Sequence, residues 1–125
     1  MNTSLLRIQQ KINRMQKGLL RFREKNNQLT FHVKTSTNDD ASLNCIFNEE
    51  ASMPRLINKE VKFIQKSYYD YVYITGTVAG ECENGSRIVS IQILKAYWFV
   101  RRSTGSFSWL KEKYAFESPL SSVQY

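Results

Sequence analysis

One histidine, two prolines and two cysteines leave little material for side-chain catalysis or metal binding. Any Ser-His-Asp or Cys-His arrangement must use His32. That residue alternates with Thr30 and Lys34 on the polar side of an extended stretch, the ordinary place of a surface histidine. Cys45 and Cys82 form no C-x-x-C pair and no zinc spacing. Cys45 alternates with Leu43 and Phe47 and is expected to be buried; Cys82 falls in a turn and is expected to be exposed, both as reduced thiols. Neither G-x-x-x-x-G-K-[ST] nor G-x-G-x-x-G occurs, so the phosphate-cradling loops are missing. The adjacent carboxylate pairs Asp39-Asp40 and Glu49-Glu50 sit in expected turns, where neighbouring side chains point apart. No enzymatic activity, cofactor or metal is expected. The longest apolar stretch, Ile88 to Val100, is interrupted by Ser90, Gln92 and Lys95 and falls short of the ~20 residues that span a bilayer. The expectation is a soluble, cytoplasmic chain with no membrane partner.

What the chain has is positive charge, unevenly placed. The net charge is +7, and seven of the 18 Lys and Arg residues precede Asn26, with Glu24 the single acid among them. Such a balance draws phosphate, anionic lipid or acidic protein. In the same segment Leu5, Ile8, Ile12, Met15, Leu19 and Phe22 recur at steps of three and four, which predicts an amphipathic helix over about residues 4–25. Asn2, Thr3 or Ser4 can cap its start and Asn26-Asn27 can end it. A basic edge of Arg7, Lys11, Arg14, Arg21 and Lys25 runs beside the apolar seam, and Gly18 lies inside the pattern. The seam suits a docked core helix, or a surface for a protein partner or a second copy. The Arg-rich, acid-poor start also fits a presequence for the mitochondrial matrix. A membrane-surface helix fits least, because the seam has no Trp and only Phe22 as an aromatic.

Beyond Asn27 the period changes from helical to alternating. Leu29 to Thr35, Leu43 to Phe47, Val61 to Lys66 and Tyr71 to Val78 read as strands, with Gly76 marking a bulge or bend. The loop from Asn48 to Glu60 has room for one helical turn after Pro54. Asn84-Gly85 is a hairpin signal, and the return strand from Arg87 runs to Val100. "RRSTGS" reads as a further turn, and Phe107 to Phe116 as a last strand or short helix. Residues 1–118 form one expected domain, and 119–125 a flexible tail. Helix first and strands after gives an α+β fold: the N-terminal helix packs on a curved five- or six-stranded antiparallel sheet or small barrel. OB-like, split-barrel-like and cystatin-like folds all have this order. "YVYITGTVAG" with its long following strand resembles the closing hairpin of an OB-fold and, equally, part of the flavin-binding split barrels.

Basic and aromatic residues interleave near the C-terminus, which points to a stacking-and-phosphate grip on single-stranded nucleic acid. The candidate contacts are Arg101, Arg102, Lys111 and Lys113 for phosphate, and Trp98, Trp109, Tyr71 and Tyr73 for bases. With both arms extended, Trp98 and Trp109 are expected as near cross-strand neighbours and the two arginines at the hairpin tip. A structural or adaptor subunit that docks through the helix seam is the alternative, with a flavin-type small-molecule barrel as a third.

Overall fold

The computed structural model describes residues 2–37, 40–47 and 55–122. Asp39, Glu49, Glu50, most of the loop before Arg55 and residues 123–125 lie outside the described residues. The order is α1 (Thr3–Met15), then strands β1 (Lys17–Glu24), β2 (Asn27–Thr37), β3 (Ser42–Phe47), β4 (Glu60–Lys66), β5 (Asp70–Asn84), β6 (Ser86–Thr104) and β7 (Phe107–Glu117). A 3-10 turn at Pro119–Ser122 follows. The strands run in the order β3-β2-β1-β4-β5-β6-β7, every pair antiparallel, and β3 also pairs with β6. That extra pairing closes six strands into a barrel and leaves β7 outside the circuit. The α+β barrel with a docked N-terminal helix is therefore the fold, its closed circuit of six strands as expected and β7 an additional strand.

The helix stops ten residues earlier than its apolar period suggests, and the rest of the stripe is strand. Asn2 caps the start, its side-chain oxygen accepting from the Leu5 amide at 3.0 Å. At the other end Gln16 takes φ 57° and donates its amide to the Ile12 carbonyl, a left-handed stop. Leu20 and Phe22 then point into the barrel while Leu19 and Arg21 point out. Both periods fit these residues; pairing decides. As strand, Lys17–Glu24 matches β2 along its whole length and β4 through Leu19, Leu20 and Arg21. As helix it would gain only its own hydrogen bonds, with Gly18 costing about 1 kcal/mol. Gly18 also sits where a Cβ would lie 2.4 Å from the Phe63 ring, so the strand needs glycine there. The chain turns at Lys25-Asn26, with Lys25 at φ 57°, and returns as β2.

Leu5, Ile8 and Ile12 enter the same core as Phe63, Val72, Ile74, Ile91, Ile93 and Trp98. Of the apolar stripe, Leu5, Ile8, Ile12 and Phe22 are spent on the chain's own barrel, while Met15 and Leu19 stay half-buried. Polar ties fix the helix across the barrel mouth. The Asn13 side chain accepts from the Thr37 amide at 3.0 Å and donates to its carbonyl. Gln9 donates to the Asp40 carbonyl at 2.7 Å, and Gln65 to the Lys17 carbonyl at 2.9 Å.

After Pro54 there is no helical turn among the described residues. Leu56 is buried instead, its amide donating to Glu81 at 2.9 Å, and the chain turns at Ile57-Asn58 with Asn58 at φ 65°. Both cysteines are free, Cys45 buried and Cys82 exposed. Burial pushes the Cys45 thiol far above its ordinary value. The start of the expected tail is folded: the Ser118 amide donates to the Leu94 carbonyl at 2.7 Å, and Pro119–Ser122 turns back beside the barrel.

Candidate functional site

Registry across β1, β4, β5 and β6 assembles a layered outer face. The middle row reads His32, Leu19, Ile64, Tyr73, Tyr97 across five strands. On one side of it lies the row Lys66, Tyr71, Phe99, Glu112. On the other lies Thr30, Arg21, Lys62, Thr75, Lys95, Glu117. Partners in an antiparallel ladder share a face, so each row is a line of neighbouring side chains. Tyr71, Tyr73, Tyr97 and Phe99 form a two-by-two block of half-buried rings. Tyr71 and Tyr73 stack at 6.3 Å and 12°, Tyr97 and Phe99 at 5.9 Å and 17°, and Tyr71 meets Phe99 at 6.3 Å. Ile64 is buried beneath them although it faces outward.

Burial raises the Tyr71 phenol above its ordinary value, Tyr73 adds to the rise and Arg21 opposes it. Its hydroxyl stays protonated at neutral pH, a donor at the edge of the ring block. Beside the block, a cleft of about 880 Å³ crosses the same strands, lined by Arg21, Arg23, Lys59, Lys62 and Lys95 with Glu60 as its one acid. Lys59 is held by Glu24 at 2.5 Å, and Lys95 lies 3.9 Å from Glu117. Among the described residues Arg21, Arg23 and Lys62 make no ion pair. Leu120 from the C-terminal 3-10 turn stands on the cleft lip.

The bulge between Thr75 and Gly76 shapes the floor. A Cβ on Gly76 would lie 2.3 Å from the Gln92 carbonyl oxygen, so only glycine lets β5 and β6 approach this closely.

The expected contacts divide. Tyr71 and Tyr73 are on the outer face. Trp98 is not: it is 7% exposed, packs in the core, and donates its indole N–H to Asp70 at 3.2 Å. Trp98 pairs with Tyr114 and Trp109 with Arg102, so the two tryptophans are not cross-strand neighbours. A bulge at Trp98/Phe99 accommodates Lys113, whose ammonium lies 4.4 Å from the Trp98 ring centre. Arg101 and Arg102 stand on opposite faces of the β6–β7 hairpin and behind its turn, which is at Gly105-Ser106. Lys111 is exposed beside them.

The basic helix edge also breaks up. Arg7 and Arg14 are exposed on α1, whereas Arg21 lies on β1 in the cleft and Lys25 in a turn. Lys11 is tied to Asp70 at 3.0 Å, both side chains largely buried. Around Asp70, burial favours the neutral acid, but hydrogen bonds from Ser67 and Lys11, the Lys11 charge and the Trp98 indole outweigh it and hold the carboxyl below its ordinary range.

Residues missed by sequence reasoning are Tyr97, Phe99, Lys62, Lys95 and Arg23. Tyr97 and Phe99 had a signal: they alternate with Ala96 and Trp98, and once those face inward the rings between them face out. Among the described residues no group of three His, Cys, Asp or Glu side chains is placed to hold a metal, and no helix is long and apolar enough to cross a membrane. The chain matches no known family profile and no curated protein sequence.

Proposed function

We propose that this is a non-enzymatic binding module for single-stranded nucleic acid, and that the strand lies on the outer face of β1, β4, β5 and β6. The observation that carries the reading is the block of Tyr71, Tyr73, Tyr97 and Phe99 beside a cleft with five cations. Ring faces stack bases without regard to sequence, and cations alongside track the phosphates. Duplex bases are paired and stacked inward, so a face of this kind favours unpaired strands. The contacts assigned are Tyr71, Tyr73, Tyr97 and Phe99 for bases, and Arg21, Arg23, Lys62 and Lys95 for phosphates. A phosphorylated small molecule held in the cleft alone is the second reading, favoured by the cleft's concavity.

Anisotropy of a labelled oligonucleotide, measured across a salt series, tests this. The logarithm of affinity should fall linearly with log salt, and Lys62→Ala should reduce the slope by about one ion. Tyr73→Ala should cost about 1–3 kcal/mol in affinity. If affinity stays at nonspecific levels or ignores salt, the reading fails. Affinity that does not grow with oligonucleotide length selects the small-molecule reading instead.

A further inference from the structure

The β6–β7 hairpin extends past the barrel as an arm. The β5–β6 register ends at Asp70–Val100, the Arg101 amide still donates to the Tyr69 carbonyl at 2.7 Å, and from Arg102 to Thr104 β6 is in register with Phe107 to Trp109 of β7 alone. At ~3.4 Å per residue these three pairs project about 10 Å. Every residue from Arg101 to Lys113 is exposed. The arm has a graded composition. Level with Arg102 and Arg101 stand Trp109 and Leu110, and the six residues beyond, Ser103 to Ser108, carry no charge in a chain of net charge +7. Behind them stands a collar of Arg101, Arg102, Lys111 and Lys113, with Glu112 the single acid.

The arm carries apolar groups on both faces. Phe107 and Trp109 share one face with Thr104 and Arg102, and are 76% and 46% exposed. Leu110 lies on the other face with Arg101 and is 50% exposed. At the base, Tyr68 and Tyr69 are 76% and 75% exposed and pack edge to face, with the Arg101 guanidinium over Tyr68.

A nucleic-acid strand lies along one face of a ribbon and needs cations where the ribbon meets it. This arm is uncharged beyond the Arg102–Trp109 pair, and Phe107 at its end projects past every cation, which suits an apolar medium at the tip with charges at its rim. Interfacial elements bury apolar side chains roughly 5–10 Å into the headgroup boundary, a depth the arm can reach. Trp and Tyr settle at that boundary, and Arg and Lys carry their charges to headgroup level. We propose that the arm is a wedge for a bilayer containing anionic phospholipid: Phe107, Trp109 and Leu110 enter the interface while Arg101, Arg102 and Lys111 engage the headgroups. The expectation of no membrane partner rested on the helix and on the absence of a span; the arm is a separate element. The proposal does not depend on the outer-face reading.

Trp109 supplies the readout, because Trp98 is already buried and contributes a fixed background. Full-length protein is mixed with phosphatidylcholine vesicles, with and without phosphatidylserine. Trp109 emission should move to the blue, and the protein should sediment, only with the anionic vesicles. Phe107→Ser should weaken partitioning roughly tenfold, and Arg102→Gln roughly fivefold, with unchanged thermal melting because both side chains are exposed. Absence of partitioning overturns the proposal, as does partitioning indifferent to Phe107→Ser. A blue shift that follows protein concentration without vesicles assigns the arm to a second copy and overturns it. So does a shift produced by an oligonucleotide and not by vesicles.

Discussion

One strand, β6, runs under two regimes. From Ile88 to Val100 it is paired with β5 on one edge and with β3 or β7 on the other, and alternate side chains such as Val89, Ile91, Ile93, Ala96 and Trp98 are buried. From Arg102 to Thr104 it is in register only with β7, and both its faces are exposed. In the first regime each residue is held by ladder, core and neighbours at once, so its type is dictated by volume and approach. In the second the backbone pairing suffices to hold the shape and leaves the side chains unconstrained by packing. Isolated two-stranded ribbons are marginal in water; this one persists because β5, β3 and α1 anchor the base. The barrel spends its apolar residues on stability, and the arm leaves its own exposed.

The sharpest way to break this contrast is to remove core from the barrel side. Ile12 is fully buried in the mouth, and Ile12→Ala should cost about 2–5 kcal/mol in chemical denaturation. Because Ile12 is internal, the oligomeric state in light scattering should not change with it. Next comes approach. Gly76→Ala should cost about 1–3 kcal/mol, since the added carbon meets the Gln92 carbonyl and the bulge must open. In the arm, by contrast, Gly105 sits at φ 59° with nothing within 4 Å of an added Cβ, so Gly105→Ala should cost only the ~1–2 kcal/mol of left-handed backbone.

The junction between the regimes is Asp70, bonded to Lys11, Ser67 and Trp98. Asp70→Asn should cost about 1–2 kcal/mol at neutral pH. The folded carboxyl titrates below its ordinary value of 3.8, so its contribution is complete above that value and disappears as pH falls through the folded pKa. The deficit of Asp70→Asn should therefore shrink in acid, which denaturation at stepped pH below about 4 will read. The smallest effect belongs to the arm: Trp109→Ala should change stability by no more than about 0.5 kcal/mol. A large loss there would mean that the arm is part of the core's support and would erase the distinction.

Strand positions were legible because alternation of apolar and polar residues survives wherever one face is buried. Leu43, Cys45 and Phe47 all point inward, and Gly76 does mark a bulge. The α1 boundary was not legible, because Leu19 and Phe22 satisfy both periods and Gln16 is not a residue that announces a helix end. What settled it was long-range pairing with β2 and β4, which no local window contains. The candidate site was half legible for the same reason. Tyr71 and Tyr73 could be placed outward from their own strand, but the rows joining Arg21, Lys62 and Lys95 depend on registry between strands far apart in sequence. Trp98 was misread because an aromatic residue among arginines resembles a binding residue until its indole is found bonded to Asp70. The Arg-Arg pair suggested a hairpin tip, whereas β6 runs on to Thr104, four residues beyond the expected strand end, and the turn forms at Gly105-Ser106.

The pairing of residues 42–46 with 88–92 has a consequence in time as well as in shape. Each half of the barrel, β1–β2–β3 and β4–β5–β6, is a meander of neighbouring hairpins that can zip locally. Joining them needs closure of a loop between residues 42 to 50 positions apart, and such distant contacts slow folding. The mouth that α1 covers draws on β2 from one meander and β6 from the other, so the helix has no complete seat until both have met. Pulse-labelled hydrogen exchange should then find the Ile8 and Ile12 amides gaining protection late, after those of the β5–β6 hairpin. The helix that precedes every strand of the barrel would be the last to find its place.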